Sequence, residues 1–330
     1  MCSSDLWLLL LRRRLWSVDG FRTAVRGFAL AGLLSGMLAA VQVAPTMEFS
    51  SRTDRSTRDA PHITIAFSLF PGRLLECLAP WVYGRQFPVN TVWAPFERWE
   101  NGIWVPDLYM GLPTIVLACF CLLGGGWKRG AEIRWLALLT VLFLWGSFGR
   151  FGGPLWIADP NLGKPIDPLA HRPGETGYGT SDGLYRLAEE TIPGFRSFRY
   201  PAKLFVFVAA GLSLLAGFGL DRWAAGGVAA AGRLGGALFC GSLIGGVAAA
   251  ALFFSKTQAS SLLARFPAPA SIFGPRDDAG AVAGLAGSLL HFSLIAAAIA
   301  LLTAAQRRGR TRLCLWGTSA ALAVDLYFAA

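Results

Sequence analysis

Charge is scarce in this chain. Only 15% of its 330 residues are Asp, Glu, Lys or Arg, against about a quarter in ordinary soluble proteins. Apolar residues make up 54%, which excludes a typical water-soluble domain. Paired cysteines are missing too. Cys119, Cys121, Cys240 and Cys314 lie inside apolar blocks, where cysteine behaves as a small hydrophobe, and Cys77 has no obvious partner, so a disulfide framework is not expected. Searches for GxGxxG followed by an acid, GxxxxGK[ST], HExxH and GxSxG find nothing usable. No internal repeat is visible, which removes solenoid and propeller architectures.

What the chain has is apolar blocks of roughly 17 to 25 residues, the length that spans a bilayer as helix. They fall at about 26–45, 109–126, 133–149, 203–221, 233–254, 284–304 and 312–330. The expected fold is all-α, a polytopic transmembrane bundle with about seven spans over residues 26–330. The net charge of +10 sits largely in connections: "RRRLWSVDGFRTAVR", "WKRGAEIR", "DRWAAGGVAAAGR" and "QRRGRTR". These alternate with the other loops, so one topology makes all four cytoplasmic. The charge is thereby explained without a nucleic-acid partner. The N-terminal basic segment is then cytoplasmic, and the expected location is the inner membrane of a bacterium.

Residues 46–108, 150–202 and 255–283 then face outward, and the first two of these loops are long. Their Trp, Tyr, Pro and Gly content points to ordered surface. "SLFPGRLLECLAPWVYG" (68–84) is apolar but broken by Pro71 and Pro80, and reads as an interfacial or re-entrant segment. Span 233–254, with the residue before it, carries Gly232, Gly236, Gly241 and Gly245, a small-residue face suited to close helix packing. "LWLLLL" (6–11) reads as the inner end of a helix that runs into the basic stretch, so residues 1–25 are expected to be a truncated helix end plus a cytoplasmic segment. The last apolar run stops at residue 330, and the whole reads as an internal piece of a longer protein.

Four groups of residues carry candidate chemistry. Gln42, Glu48 and Arg52 lie where the first span meets the outer interface. A carboxylate and a guanidinium there suit a phosphate or a sugar hydroxyl; they equally suit an ordinary helix end with solvated charges. Arg196, Arg199 and Lys203 gather at the N-terminal end of the span at 203–221, with Pro193-Gly194 as a turn and Pro201 at the first helical position. Cations at an outer helix N-terminus oppose both the helix dipole and the positive-inside bias. A bound lipid phosphate resolves both conflicts, and simple anchoring to headgroups is the alternative.

His291 lies roughly 10 Å below the outer end of its span, at about 1.5 Å per residue. Asp325 on the next span comes to a similar depth, so the two form a candidate intramembrane polar pair. Finally, Asp159, Asp167, His171, Glu175 and Asp182 occupy one outer loop at spacings that match no specific motif. No metal site is assigned.

The stretches "QVAPTMEFSSRTDR", "LFPGRLLECLAPWVYG", "YMGLPTIVLA" and "GLYRLAEETIPGFRSFRYPAKLFVFVAAGLSLLAGFGLDRW" resemble the bacterial YfhO-type membrane proteins, a family similar to the C-type (GT-C) integral-membrane glycosyltransferases. The likeness covers most of residues 26–330. It implies transfer of a sugar from a polyprenyl-phosphate carrier to an envelope glycan acceptor, among membrane lipids. It also implies an acidic general base in a first outer loop, sometimes helped by a divalent metal. That loop would precede Met1, so the catalytic residue stays unassigned. An envelope lipid transporter or a non-catalytic assembly scaffold is the alternative.

Overall fold

The computed structural model describes residues 67–94, 105–123, 130–154, 183–192, 195, 200–225, 228–266, 273–309 and 311–329, with parts of 22–48. The chain divides into two compact units, Met1–Pro61 and His62–Ala330. The first contains an apolar helical stretch, Val25–Met37. In the second, the regular elements among the described residues are helical, with no strand. They are α1 (Leu112–Leu123), α2 (Ala131–Ser147), α3 (Leu184–Thr191), α4 (Phe205–Ala224), α5 (Val228–Phe254), α6 (Lys256–Leu263), α7 (Asp278–Arg307) and α8 (Thr311–Ala329).

Three segments are long and apolar enough to cross a membrane: Pro201–Ala224, Leu234–Phe254 and Asp278–Arg307. Val25–Met37, α1 and most of α8 are apolar but shorter. The α5 segment has a mean hydropathy of 2.1 although only 17% of it is buried within the protein. Its outward side chains include Leu243, Ile244 and Val247, at 55%, 71% and 70% exposure. Such a face is unfavourable against water and neutral against lipid tails. The protein is therefore a helical, membrane-embedded one.

The core shows how the helices run. Phe205 and Val208 of α4 pack with Leu108, just before α1, and with Leu69 and Cys77. Further along, Ala118 and Cys121 of α1 meet Leu215 of α4 and Ala137 of α2. Thus α1 and α4 run in parallel. They approach closely because Gly219 has no side chain: a Cβ there would lie 2.0 Å from the Leu117 carbonyl oxygen. At the far end the Gln306 amide donates to the Trp223 carbonyl, tying α7 to α4.

The α5–α7 contact uses Ser293, whose hydroxyl donates to the Ser242 carbonyl at 2.7 Å. The small-residue face of α5 differs from the four glycines expected. Gly232 does face Arg307 of α7, and Gly241 and Gly245 face Phe292, but Gly236 meets nothing within 4 Å. Gly235 and Gly246 lie against Thr303 and Ser293 instead. A four-residue repeat drifts around a helix of 3.6 residues per turn, so no single such row stays on one contact. α7 also begins at Asp278, six residues before the boundary read from hydropathy. Asp277 caps it, accepting from the Gly280 N–H at 2.9 Å, and a polar capping residue is invisible to an apolar count.

Segment 67–94 lies across one end of this bundle. The Leu69 N–H donates to the Ser147 carbonyl at 3.0 Å, at the end of α2, and the Ala202 N–H to the Phe67 carbonyl at 3.2 Å, just before α4. The Asn90 side-chain amide donates to the Gly274 carbonyl at 3.0 Å, close to the start of α7. Inside the segment, Pro71–Cys77 forms a 3₁₀ helix.

Candidate functional site

Two polar centres meet at residues 105–112, beneath segment 67–94. The first is built on the 3₁₀ helix. Three residues per turn places Arg73 directly over Glu76. The guanidinium donates from Nε to Glu76 Oε1 and from Nη2 to Oε2, each at 2.8 Å. Arg73 is 1% exposed and Glu76 4%. A buried pair of this kind persists only when its other polar atoms are also satisfied. Here Arg73 Nη2 donates to the Val105 carbonyl at 2.7 Å, and the Leu108 N–H donates to Glu76 Oε2 at 3.2 Å. The ion pair thus fixes the strand of chain that leads into α1. Burial still lifts the Glu76 carboxyl above its usual range, with Arg73 opposing.

Asp107 holds the other side of that strand. Its carboxylate accepts from the Trp81 N–H at 3.2 Å and from the Tyr109 N–H at 3.3 Å. Burial, then the nearby Glu76 charge, pushes it up to about 6. The neighbouring Cys77 thiol is pushed up to about 12, again mainly by burial, so it is no nucleophile. Trp81 adopts φ +55°, an uncommon conformation for a bulky residue. Two hydrogen bonds hold it there: the one to Asp107, and one from its indole N–H to the Ala329 carbonyl at 2.8 Å.

The second centre is Asp325 on α8, which is fully buried. Oδ1 lies 2.5 Å from His291 Nε2 on α7 and accepts from the Tyr109 hydroxyl at 2.5 Å. Oδ2 accepts from the Leu112 N–H at 2.9 Å. That N–H is one of the unpaired donors at the start of α1, so Asp325 serves as a cap supplied by another helix. Gly111, at φ +93°, makes this approach feasible, since a Cβ there would lie 2.8 Å from Leu322 Cδ1 and 3.4 Å from Asp325 Oδ2.

Above the first centre lies a cavity of about 260 Å³, bordered by Arg73, Glu76, Trp81, Tyr83, Arg85 and Gln86, among others. Most of its named polar groups are already engaged. Arg73 and Glu76 hold each other, and Tyr83 donates its hydroxyl to the Gly72 carbonyl at 2.9 Å. Two are not. Gln86 Nε2 is buried without a hydrogen-bond partner. Arg85 lies over the Trp81 ring at 5.2 Å and forms no ion pair among the described residues.

The residues expected from sequence distribute unevenly. His291 and Asp325 come together. Lys203 lies on a 3₁₀ turn, Pro201–Leu204, ahead of α4 rather than inside it, with Nζ 4.7 Å from the Tyr200 ring centroid. Glu48 is helical and exposed within the first unit. Gln42, Arg52, Arg196 and Arg199 lie outside the described residues, as do Asp159, Asp167, His171, Glu175 and Asp182.

Arg73, Glu76, Asp107 and Tyr109 were not among the expected site residues. The available signal was Arg and Glu three apart in an otherwise apolar run, where charges are expected to pair. Among the described residues no three His, Cys, Asp or Glu side chains converge to hold a metal ion. The divalent ion that the family resemblance implies therefore finds no donor set among them. No family model, curated protein or solved structure matches the chain.

Proposed function

We propose that this chain belongs to a membrane protein that handles a lipid-linked sugar at the outer face of a bacterial cytoplasmic membrane. The reaction class is the one the YfhO-type resemblance implies: transfer from a polyprenyl-phosphate carrier to an envelope glycan acceptor. In this reading α1, α2, α8 and the stretch Val25–Met37 join the three long helices as seven spans. Segment 67–94 faces outward, and the connections "WKRGAEIR", "DRWAAGGVAAAGR" and "QRRGRTR" face the cytoplasm.

The observation that carries the reading is the aromatic-walled cavity at the end of the bundle where α4 begins. A concave site with mostly apolar walls and a few placed polar groups is the usual form of a small-molecule site. Lys203 is at the same end, because residue 202 is hydrogen-bonded to residue 67 of the capping segment. A carrier phosphate near Lys203, with Arg196 and Arg199 a few residues upstream, leaves its sugar at the level of the cavity.

The test is thermal unfolding of the chain in lipid nanodiscs with polyprenyl-phosphate hexose, with polyprenyl phosphate, or with added phosphatidylglycerol. A ligand that binds the folded state raises its stability by mass action. Both polyprenyl lipids are expected to protect saturably, the sugar-bearing one more. Lys203→Ala should weaken both effects, and Trp316→Ala, at a residue 78% exposed, neither. Equal protection by phosphatidylglycerol sinks the reading and leaves headgroup anchoring in a scaffold or transporter.

A further inference from the structure

The bond from the Gln306 amide to the Trp223 carbonyl brings together the last turns of α4 and α7, at the end of the bundle away from segment 67–94. Three arginines stand beside it: Arg222, next to Trp223, and Arg307 and Arg308, next to Gln306. None of the three forms an ion pair among the described residues. The carboxylate nearest in sequence, Asp221, is exposed. The dipoles of α4 and α7 end here and offset about half a charge each, while the start of α5 returns about half a charge. One carboxylate and these dipole ends do not balance three guanidinium groups, so the corner keeps a positive surplus.

Arg307 is held in place. Its guanidinium lies against α5 at Gly232, where a Cβ would come 3.3 Å from Nη1. One turn earlier Thr303 meets Gly235 in the same way. Arg308 faces elsewhere. Leu301 and Leu294 lie seven and fourteen residues before it, on nearly the same face of α7. They are 68% and 62% exposed, so in a membrane-embedded protein this face meets lipid tails. The span Asp278–Arg307 has 30 residues. At about 1.5 Å per residue it is about 45 Å long, which matches the roughly 40–45 Å of a bilayer with its headgroups. The arginines at its end therefore stand at headgroup level, above a tail-facing stripe.

We infer that Arg222, Arg307 and Arg308 bind the phosphate of an anionic phospholipid, whose acyl chain lies along Leu301 and Leu294. Guanidinium donors set in one plane suit phosphate oxygens. A soluble anion finds the same charge but nothing to hold the rest of it. A zwitterionic lipid brings its own cation, which the arginines repel. The site is at the opposite end of the bundle from Lys203, and it does not depend on the proposed function. Polyprenyl phosphates fill this corner as well as the site at Lys203, so phosphatidylglycerol still protects less than they do.

The experiment is thermal unfolding of the whole chain in neutral detergent micelles, titrated with phosphatidylglycerol, phosphatidylcholine or inorganic phosphate. Phosphatidylglycerol is expected to protect saturably, and the other two not. The double variant Arg307→Gln/Arg308→Gln should raise its half-saturating concentration on the order of tenfold. Gly232→Val keeps every charge but displaces the Arg307 guanidinium, and should raise it by less. Arg265→Gln, at an exposed position near the start of α7, and Lys203→Ala should leave it unchanged. Equal protection by phosphatidylcholine, or an Arg265→Gln effect as large as that of the double variant, means a general lipid or charge effect and overturns the site. Equal protection by inorganic phosphate overturns the lipid assignment. Phosphatidylglycerol protection that disappears in Lys203→Ala puts the lipid at the other end and overturns the inference.

Discussion

Tyr109 and Asp325 lie 216 positions apart and share a hydrogen bond of 2.5 Å. The same Asp325 oxygen faces His291, and the second oxygen receives the Leu112 N–H. One carboxylate thus joins the start of α1, the upper part of α7 and the last turns of α8. In lipid no water is present to replace a lost partner, so each of these bonds constrains where its helix can sit.

Removing that carboxylate should cost much more than removing the phenol. Asp325→Leu strands a hydroxyl and an imidazole and leaves the Leu112 N–H only its 3.1 Å bond to the Tyr109 oxygen, and is expected to destabilise by on the order of 3 kcal/mol. Tyr109→Phe removes the bond to Asp325 and the longer one that the hydroxyl accepts from the Leu112 N–H, which Asp325 still holds, and should cost about 1 kcal/mol. Asp325→Asn keeps one acceptor oxygen and should fall between. Reversible unfolding in detergent micelles measures all three. Near-equal losses for Asp325→Leu and Tyr109→Phe contradict a shared acceptor.

The α1–α4 contact gives a paired test of the fold. A Cβ at Gly219 would lie 2.0 Å from the Leu117 carbonyl oxygen, whereas at Gly217 nothing lies within 4 Å. Both are helical glycines two residues apart, so local propensity treats them alike. Gly219→Ala must push two backbones apart and should lose roughly 1–3 kcal/mol. Gly217→Ala should be neutral or slightly stabilising. The same micelle unfolding decides it, and similar effects at both sites would mean that α1 and α4 do not cross there.

These examples show what was legible in the sequence and what was not. Long apolar runs identify α4, α5 and α7, because hydropathy and length are summed over many residues. The His291–Asp325 pair was legible because two ionisable groups at similar depth in apolar helices have few other partners. Tyr109 was not, since a tyrosine at the edge of an apolar block looks like ordinary interfacial aromatic surface. The Arg73–Glu76 pair was hidden for another reason. The prolines in "LFPGRLLECLAPWVYG" argue against a span, and that feature carries no information on how Arg73 and Glu76 are spaced around a helix turn. The cavity depends on Trp81 at positive φ and on contacts from residue 329, neither of which any local window contains.

Asp107 ties the first centre to pH. Its carboxyl is raised to about 6, by burial first and by the Glu76 charge second, and Glu76 is itself raised by burial. An acid whose value is higher in the folded than in the unfolded chain holds its proton more tightly in the fold. The fold is therefore penalised above pH 6. The penalty is relieved as pH falls through about 6 toward the ordinary carboxylate range near 4. Asp107 is partly exposed, so solvent screening reduces the effect to on the order of 1 kcal/mol. Unfolding of the chain in micelles should show higher stability at pH 5.0 than at pH 7.5. Asp107→Asn cannot titrate, and although it loses one acceptor for the Trp81 and Tyr109 N–H groups at every pH, its gain on acidification should be smaller. The difference in slope reports Asp107 together with its coupling to the Glu76 charge. An unchanged slope in the variant would show that Asp107 is solvated in the folded protein, and that the strand from Val105 to Tyr109 is held by Arg73 and Glu76 without it.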